Sequence, residues 1–200
     1  MRFVLLNGPP GCGKDTAVKH MVPYLDFKHL KFAAPIKRMV AGLLDCSMSR
    51  LEEIKDTPNR MLRYEQYLTT RDDTPRRLLI ALSEELLKPR YGGSYFGNVL
   101  WSEACLSTSK LFIVSDCGFQ AEVDRLIGNA GHRNCLVIRI HRDGHTFDGD
   151  SRSYLDDDRC QTIDIHNNLT PHDLTMRVLS ATIRKWRDIP LLKEPEWIKE

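Results

Sequence analysis

Long apolar runs are the first thing missing from this chain of 200 residues. No stretch approaches the ~18 apolar residues of a membrane-crossing helix. The apolar opening, Phe3-Val4-Leu5-Leu6, runs straight into a glycine-rich turn, so neither a membrane span nor a secretory leader is expected. Charge of one sign is also missing. With 29 Lys and Arg against 27 Asp and Glu the net charge is +2, and the pI is near 8.2. That balance is too mild to mark a nucleic-acid binder by itself, although basic residues do cluster between Arg50 and Arg90. The six cysteines, at 12, 46, 105, 117, 135 and 160, show no Cys-x2-Cys or Cys/His spacing. Reduced thiols in a cytoplasmic protein are therefore expected. The seven histidines show no metal spacing either, and internal repeats and low-complexity tracts are absent. What remains is a 42% hydrophobic composition, which suits one domain over residues 1–200 with a full core.

The distinctive stretch is Gly8-Pro9-Pro10-Gly11-Cys12-Gly13-Lys14-Asp15-Thr16. A buried-strand pattern precedes it, and Ala17-Val18-Lys19-His20-Met21-Val22 continues as a helix. Strand, glycine turn, lysine and helix in that order are the signature of a phosphate-binding loop. Glycines 8, 11 and 13 let successive backbone N–H groups point inward at an anion. The helix beginning near Lys14 adds the positive end of its dipole, and the Lys14 ammonium reaches outer phosphates. Cys12, beside Lys14 and a helix N-terminus, is expected to be the most readily alkylated thiol. One position departs from the common pattern: Asp15 stands where Ser or Thr usually ligates Mg²⁺, with Thr16 following. A carboxylate is also a hard oxygen ligand.

The rest of the chain alternates. His29 to Ala33 reads as a short strand, and Pro35 opens a helix with Ile36, Met39, Val40, Leu43 and Leu44 on one face. Residues 45–75 mix both charge signs, and short helices joined by loops are expected there. Thr74 caps a helix with Pro75 at its first position; Leu78, Leu79, Leu82, Leu86 and Leu87 form its core face and Pro89 ends it. Gly92-Gly93-Ser94 and Gly97 mark a flexible loop before a helix from Asn98 to Ser107. Leu111 to Asp116 is a buried strand carrying an acid near its carboxyl edge, where ligands sit in a parallel sheet. A helix follows from Glu122 to Leu126, then a strand from Cys135 to Ile140, a polar segment to Asp158 and a strand from Thr162 to Ile165. Thr170-Pro171 starts the last helix, which runs to about Trp186 ahead of a polar tail. Five strands alternating with helices give an α/β three-layer fold with a parallel sheet and helices on both faces.

The Gly-Lys-Asp-Thr ending of the loop resembles the deoxynucleoside monophosphate kinases of bacteriophages, a family of P-loop nucleotide kinases. Further landmarks are Phe32-Ala33-Ala34-Pro35-Ile36-Lys37, Thr74-Pro75-Arg76 followed by Arg90 and Trp101, the Asp116 strand, and the Asn167–Asn168 turn before the last helix. The resemblance implies ATP and Mg²⁺ as cofactors and phosphoryl transfer to a (deoxy)nucleoside monophosphate. It implies that Lys14 and the loop hold donor phosphates, that Asp15, Thr16 and Asp116 position the metal, and that Arg76 grips the acceptor phosphate. It also implies an acceptor-binding insertion at about 45–108 and a lid at about 142–160, with Arg142 or Arg152 offsetting charge in the transition state. Lys37 and Arg38 suit a solvated helix face as well as a substrate role, Trp101 a core position as well as base stacking, and Arg152 a surface loop as well as a lid. One landmark is broken. The family's Asp-x-Arg-Phe is here Asp116-Cys117-Gly118-Phe119, so the arginine is replaced by Gly118. That keeps a second acceptor open, a hydroxymethylated pyrimidine within phage DNA, for which Asp15 or Asp116 would serve as base. A non-catalytic nucleotide-binding switch is a third reading. The implied partners are a small-molecule nucleotide or modified DNA, no membrane, and as an open alternative a second copy of the chain in a homodimer.

Overall fold

Phe3, Val4, Leu5 and Leu6 are all fully buried, because the strand they form lies at the centre of a sheet covered on both faces. This strand, β1 (Arg2–Asn7), is followed in the computed structural model by α1 (Lys14–Met21), β2 (Lys28–Leu30), α2 (Ala34–Leu43), α3 (Met48–Ile54) and α4 (Pro75–Ile80). A π-helical stretch (Ala81–Leu87) leads into α5 (Lys88–Tyr91) and α6 (Tyr95–Cys105). Then come β3 (Leu111–Cys117), α7 (Gln120–Ala130), a 3₁₀ turn (His132–Asn134), β4 (Cys135–His141), β5 (Gln161–His166) and α8 (Pro171–Lys185). The structure describes residues 1–58 and 74–195, so the charged residues 59–73 of the expected insertion lie outside the described residues, as does the end of the tail.

All five strands are parallel, in the order β2-β3-β1-β4-β5. The strand alternation of β1 separates two cores. Phe3 and Leu5 pack with Phe96, Leu100 and Ala104 of α6 and Val123, Leu126 and Ile127 of α7. Val4 and Leu6 pack with Ala17, Val18 and Met21 of α1 and Leu174, Val178 and Leu179 of α8. Each fully buried Val, Leu or Phe is worth about 1.5–3 kcal/mol, so β1 is held from both sides. A smaller cluster of Val40, Ala41, Leu44, Leu51 and Leu78 ties α2, α3 and α4 together beside the sheet. The chain leaves β1 towards β2 on one side, and later crosses to β4 on the other. The crevice where those paths diverge, above the carboxyl end of β1, is the standard ligand position of an open parallel sheet.

Several local expectations are corrected. β2 stops at Leu30, because the N–H groups of Phe32 and Ala33 go to the Asp116 carboxylate and not to a neighbouring strand. On α2, Ile36 and Val40 are buried but Met39 and Leu43 are exposed, so the apolar stripe is narrower than its spacing suggests. Pro89 does not end its helix. The wide turn before it, in which the Lys88 N–H bonds the Ser83 carbonyl five residues back, opens the backbone where the proline ring would clash. The helical path continues to Tyr91, and Leu86 is exposed. Gly97 lies within α6, where an added Cβ would sit 2.5 Å from the Glu122 carbonyl oxygen; it permits α6 and α7 to pack closely. Among the described residues no helix is long and apolar enough to cross a membrane.

Candidate active site

The loop between β1 and α1 fills the crevice. Gly11 and Gly13 have φ of 75° and 104°, a region that side chains avoid, and Gly13 is the residue from which α1 starts. The loop is braced from the far side of the sheet. The Asn167 side-chain amide donates to the Cys12 carbonyl at 2.8 Å, and Arg142 Nη1 donates to the Gly11 carbonyl at 2.9 Å. Lys14 curls into the loop, its Nζ donating to the carbonyls of Gly8 at 2.6 Å and Pro9 at 2.7 Å and lying 3.3 Å from Cys12 Sγ. Cys12 is fully buried, against the expectation that it is the most readily alkylated thiol; among the cysteines Cys105 is the exposed one. Position beside a lysine and a helix start cannot make a thiol reactive where a reagent has no path to it.

Two carboxylates stand at the carboxyl edge next to the loop. Asp15, in the first turn of α1, accepts from Lys31 Nζ at 2.7 Å and from the Ser115 hydroxyl at 2.7 Å. His29 Nε2 lies 2.7 Å from Ser115 Oγ. Because the single hydroxyl proton of Ser115 goes to Asp15, His29 must donate, which fixes its proton on Nε2. Partial burial pushes the Asp15 carboxyl upward, but the Lys31 and Ser115 hydrogen bonds outweigh it and leave the group below its ordinary value. The His29 imidazole is held below its ordinary value by burial and by Lys31. Asp116 Oδ1 and Oδ2 accept the amides of Phe32 (2.8 Å) and Ala33 (3.0 Å), so this acid also anchors the turn into α2. Thr16 is exposed one position further along α1.

These oxygens suit Mg²⁺. Among the described residues no three His, Cys, Asp or Glu converge on one point. A Mg²⁺ ion needs only one or two carboxylates where phosphate oxygens complete its shell. Each carboxylate oxygen can accept more than the bonds described here.

The remaining predicted residues lie on two other segments. Arg76, in the first turn of α4, makes a two-pronged ion pair with Asp56 through Nε and Nη2, the latter at 3.0 Å from Asp56 Oδ2. The segment 142–160 has no helix or strand apart from a bridge between Arg142 and His145. It is clipped to the sheet by Asn7, which is fully buried at the end of β1. The Asn7 amide donates to the carbonyls of Cys117 and Ser153 at 2.9 and 3.0 Å, and its oxygen accepts the Leu155 N–H at 2.9 Å. Arg142 thus reaches the loop directly. Arg152 instead pairs with Asp150, through Nε at 2.9 Å and Nη2 at 2.6 Å. Trp101 packs on Phe3, with ring centroids 6.0 Å apart, in the core position rather than the base-stacking one. Asn7, His29, Lys31 and Ser115 escaped the sequence reading; only Asn7, a polar residue closing an apolar run before the glycine turn, left any signal.

No family model matches this chain, and no curated protein matches it. Solved structures do resemble it. A sugar kinase from Janibacter sp. HTCC2649 is 13% identical, with 94% of this chain and 95% of that one covered and a TM-score of 0.44. Shikimate kinase from Aquifex aeolicus vf5 is 11% identical over 90% and 95%, with a TM-score of 0.41. The tunicamycin resistance protein of Deinococcus radiodurans is 12% identical over 96% and 99%, with a TM-score of 0.44. At such identities and scores the likeness is of chain path alone, and the site's own residues must carry the chemistry.

Proposed function

We propose that the protein catalyses ATP- and Mg²⁺-dependent phosphoryl transfer to a (deoxy)nucleoside monophosphate, giving the diphosphate. The observation that carries this reading is the glycine loop at the end of β1, closed around the Lys14 ammonium and lying beside the Asp15 and Asp116 carboxylates. Phosphoryl transfer asks a protein chiefly for positioning and for neutralisation of spread negative charge. Lys14 and the loop amides bind the donor phosphates, the N-terminus of α1 adding its dipole. Asp15, Thr16 and Asp116 would hold Mg²⁺, which when bound neutralises phosphate charge. Ser115 and Lys31 orient Asp15. Arg142, bonded to the loop itself, is placed to exchange its carbonyl partner for a donor phosphate oxygen. Arg76 holds the acceptor phosphate with a planar fork suited to two oxygens at once. No general base is required, because a phosphate acceptor is already ionised at neutral pH.

The test is ADP release from MgATP with a panel of ribo- and deoxynucleoside monophosphates and hydroxymethyluracil-containing DNA. Stimulation by a free monophosphate supports the reading. Stimulation by the DNA alone replaces it with the DNA-kinase alternative, and slow turnover indifferent to every acceptor replaces it with a nucleotide-binding switch.

A further inference from the structure

Gly118 follows the site strand β3, and the space where its side chain would stand is already taken. A Cβ built there would lie 2.7 Å from Cβ, from Cγ and from Cδ of Arg152. Three stem carbons at that distance mean that even alanine forces the arginine out. The seat is also fixed by backbone, since the Ser153 N–H donates to the Gly118 carbonyl at 3.2 Å. Asp150 then holds the guanidinium by its Nε and Nη2 edge and accepts the Arg152 amide at 3.0 Å. This arrangement is reached across 34 residues of chain, and three separate contacts specify it.

Arg152 also has charged neighbours on other elements. Arg152 is close enough to Asp116 and to Arg76 to interact with the charge of each, and Arg76 in turn interacts with Asp150. Two forked cations therefore lie near one another, one on α4 and one seated on Gly118 at the carboxyl end of β3. Each is paired edge-on with a carboxylate, Arg76 with Asp56 and Arg152 with Asp150. A carboxylate in that geometry presents the oxygen pair that a phosphate would present.

We propose that Arg152, seated on Gly118, is the second arginine of the acceptor-phosphate clamp alongside Arg76, and that Gly118 is the residue that makes room for it. The assignment rests on the phosphoryl-transfer reading. It takes Arg152 away from the donor side, where of these two arginines it is Arg142 that contacts the loop.

The experiment compares wild type, Arg152→Ala, Gly118→Ala and the double variant, with the deoxynucleoside monophosphate that releases most ADP as the varied acceptor. Acceptor-free ATP hydrolysis is measured in parallel, and circular-dichroism melting checks that each variant folds. Both single variants should raise the acceptor KM about 10- to 100-fold, the range of a lost charge-assisted hydrogen-bond pair. The double variant should be no worse than Arg152→Ala, because the two changes remove one interaction. The KM for ATP and acceptor-free hydrolysis should not move. An unchanged acceptor KM in Arg152→Ala, or a fall in acceptor-free hydrolysis, overturns the assignment while leaving the kinase reading intact. A silent Gly118→Ala beside an impaired Arg152→Ala overturns the seat. If no acceptor stimulates ADP release from wild type, the kinase reading falls and the clamp with it.

Discussion

Glu122 offers a perturbation whose sign and size both follow from its surroundings. It sits in the first turn of α7 with 2% of its surface exposed. Burial pushes its carboxyl up, and although Lys88 opposes the shift while Asp116 adds to it, the group titrates at about 7 instead of 4.5. Lys88 cannot neutralise it fully, because that ammonium, 3.5 Å from Glu122, is shared with Glu84 at 2.8 Å and lies 3.4 Å above the Phe119 ring. Unfolded, the carboxyl loses its proton near 4.5; folded, it keeps the proton to about 7. Between those values the native state binds more protons, so stability falls as pH rises through that window and then levels off. A shift of this size corresponds to about 3 kcal/mol. For a chain this long that is roughly 6–12 °C in Tm. Glu122→Gln removes the titration while keeping the shape. Urea unfolding of both proteins from pH 5 to pH 8 should show wild type losing ground to the variant by about 3 kcal/mol across the range. Any constant cost from leaving Lys88 with one acid cancels in that slope. A stability difference independent of pH between 5 and 8 would refute the reasoning.

Three further outcomes are expected. Lys14→Ala should reduce ADP formation by at least about 10²–10³-fold, as for loss of a donor at developing charge, with the circular-dichroism spectrum of the folded protein retained; wild-type turnover in the variant contradicts the loop's role. Asn7→Ala leaves two buried backbone groups, and the part-buried Ser153 carbonyl, without their partner and should destabilise by about 2–3 kcal/mol, read by urea denaturation; a loss under about 0.5 kcal/mol would show that the clip is dispensable. Alkylation mapped by mass spectrometry should label Cys105 first and Cys12 last in the folded protein; early labelling of Cys12 would show that the loop opens.

What could be read from the sequence was what local chemistry decides. The apolar run before Gly8, the glycines at 11 and 13, and Thr170-Pro171 each specify a structure from neighbouring residues alone. The Thr170 capping box with Asp173 forms as its sequence requires. Asp116 was legible as an acid at a strand end, but its capture of two amides from the β2–α2 turn was not, because that contact spans more than 80 residues. The π-helical stretch was also hidden. Leucines at 78, 82 and 86 fit a regular helix and Pro89 reads as its stop, whereas the chain widens its turn ahead of the proline and continues to Tyr91. Gly118 illustrates the same limit most clearly. By itself it reads as a missing arginine, and only the fold shows another arginine standing on it.

The loop's carbonyl groups show how the anion site is kept in readiness. A glycine turn can bind phosphate only if its N–H groups face inward, which leaves its carbonyls in need of other donors. Here those of Gly11 and Cys12 are taken by Arg142 and Asn167, both from the β4–β5 side of the sheet. Those of Gly8 and Pro9 are taken by Lys14. The two sets differ in kind. Asn167 is buried and positioned by its own strand end, so its bond to Cys12 is part of the frame. Lys14 can trade two neutral carbonyls for phosphate oxygens, and charge-assisted bonds are roughly twice as strong as neutral ones. Donor binding then draws on the difference between two sets of Lys14 bonds rather than on one set gained outright. Asn167→Ala should for that reason weaken ATP binding through loop geometry while leaving this exchange available, whereas Lys14→Ala removes the exchange itself.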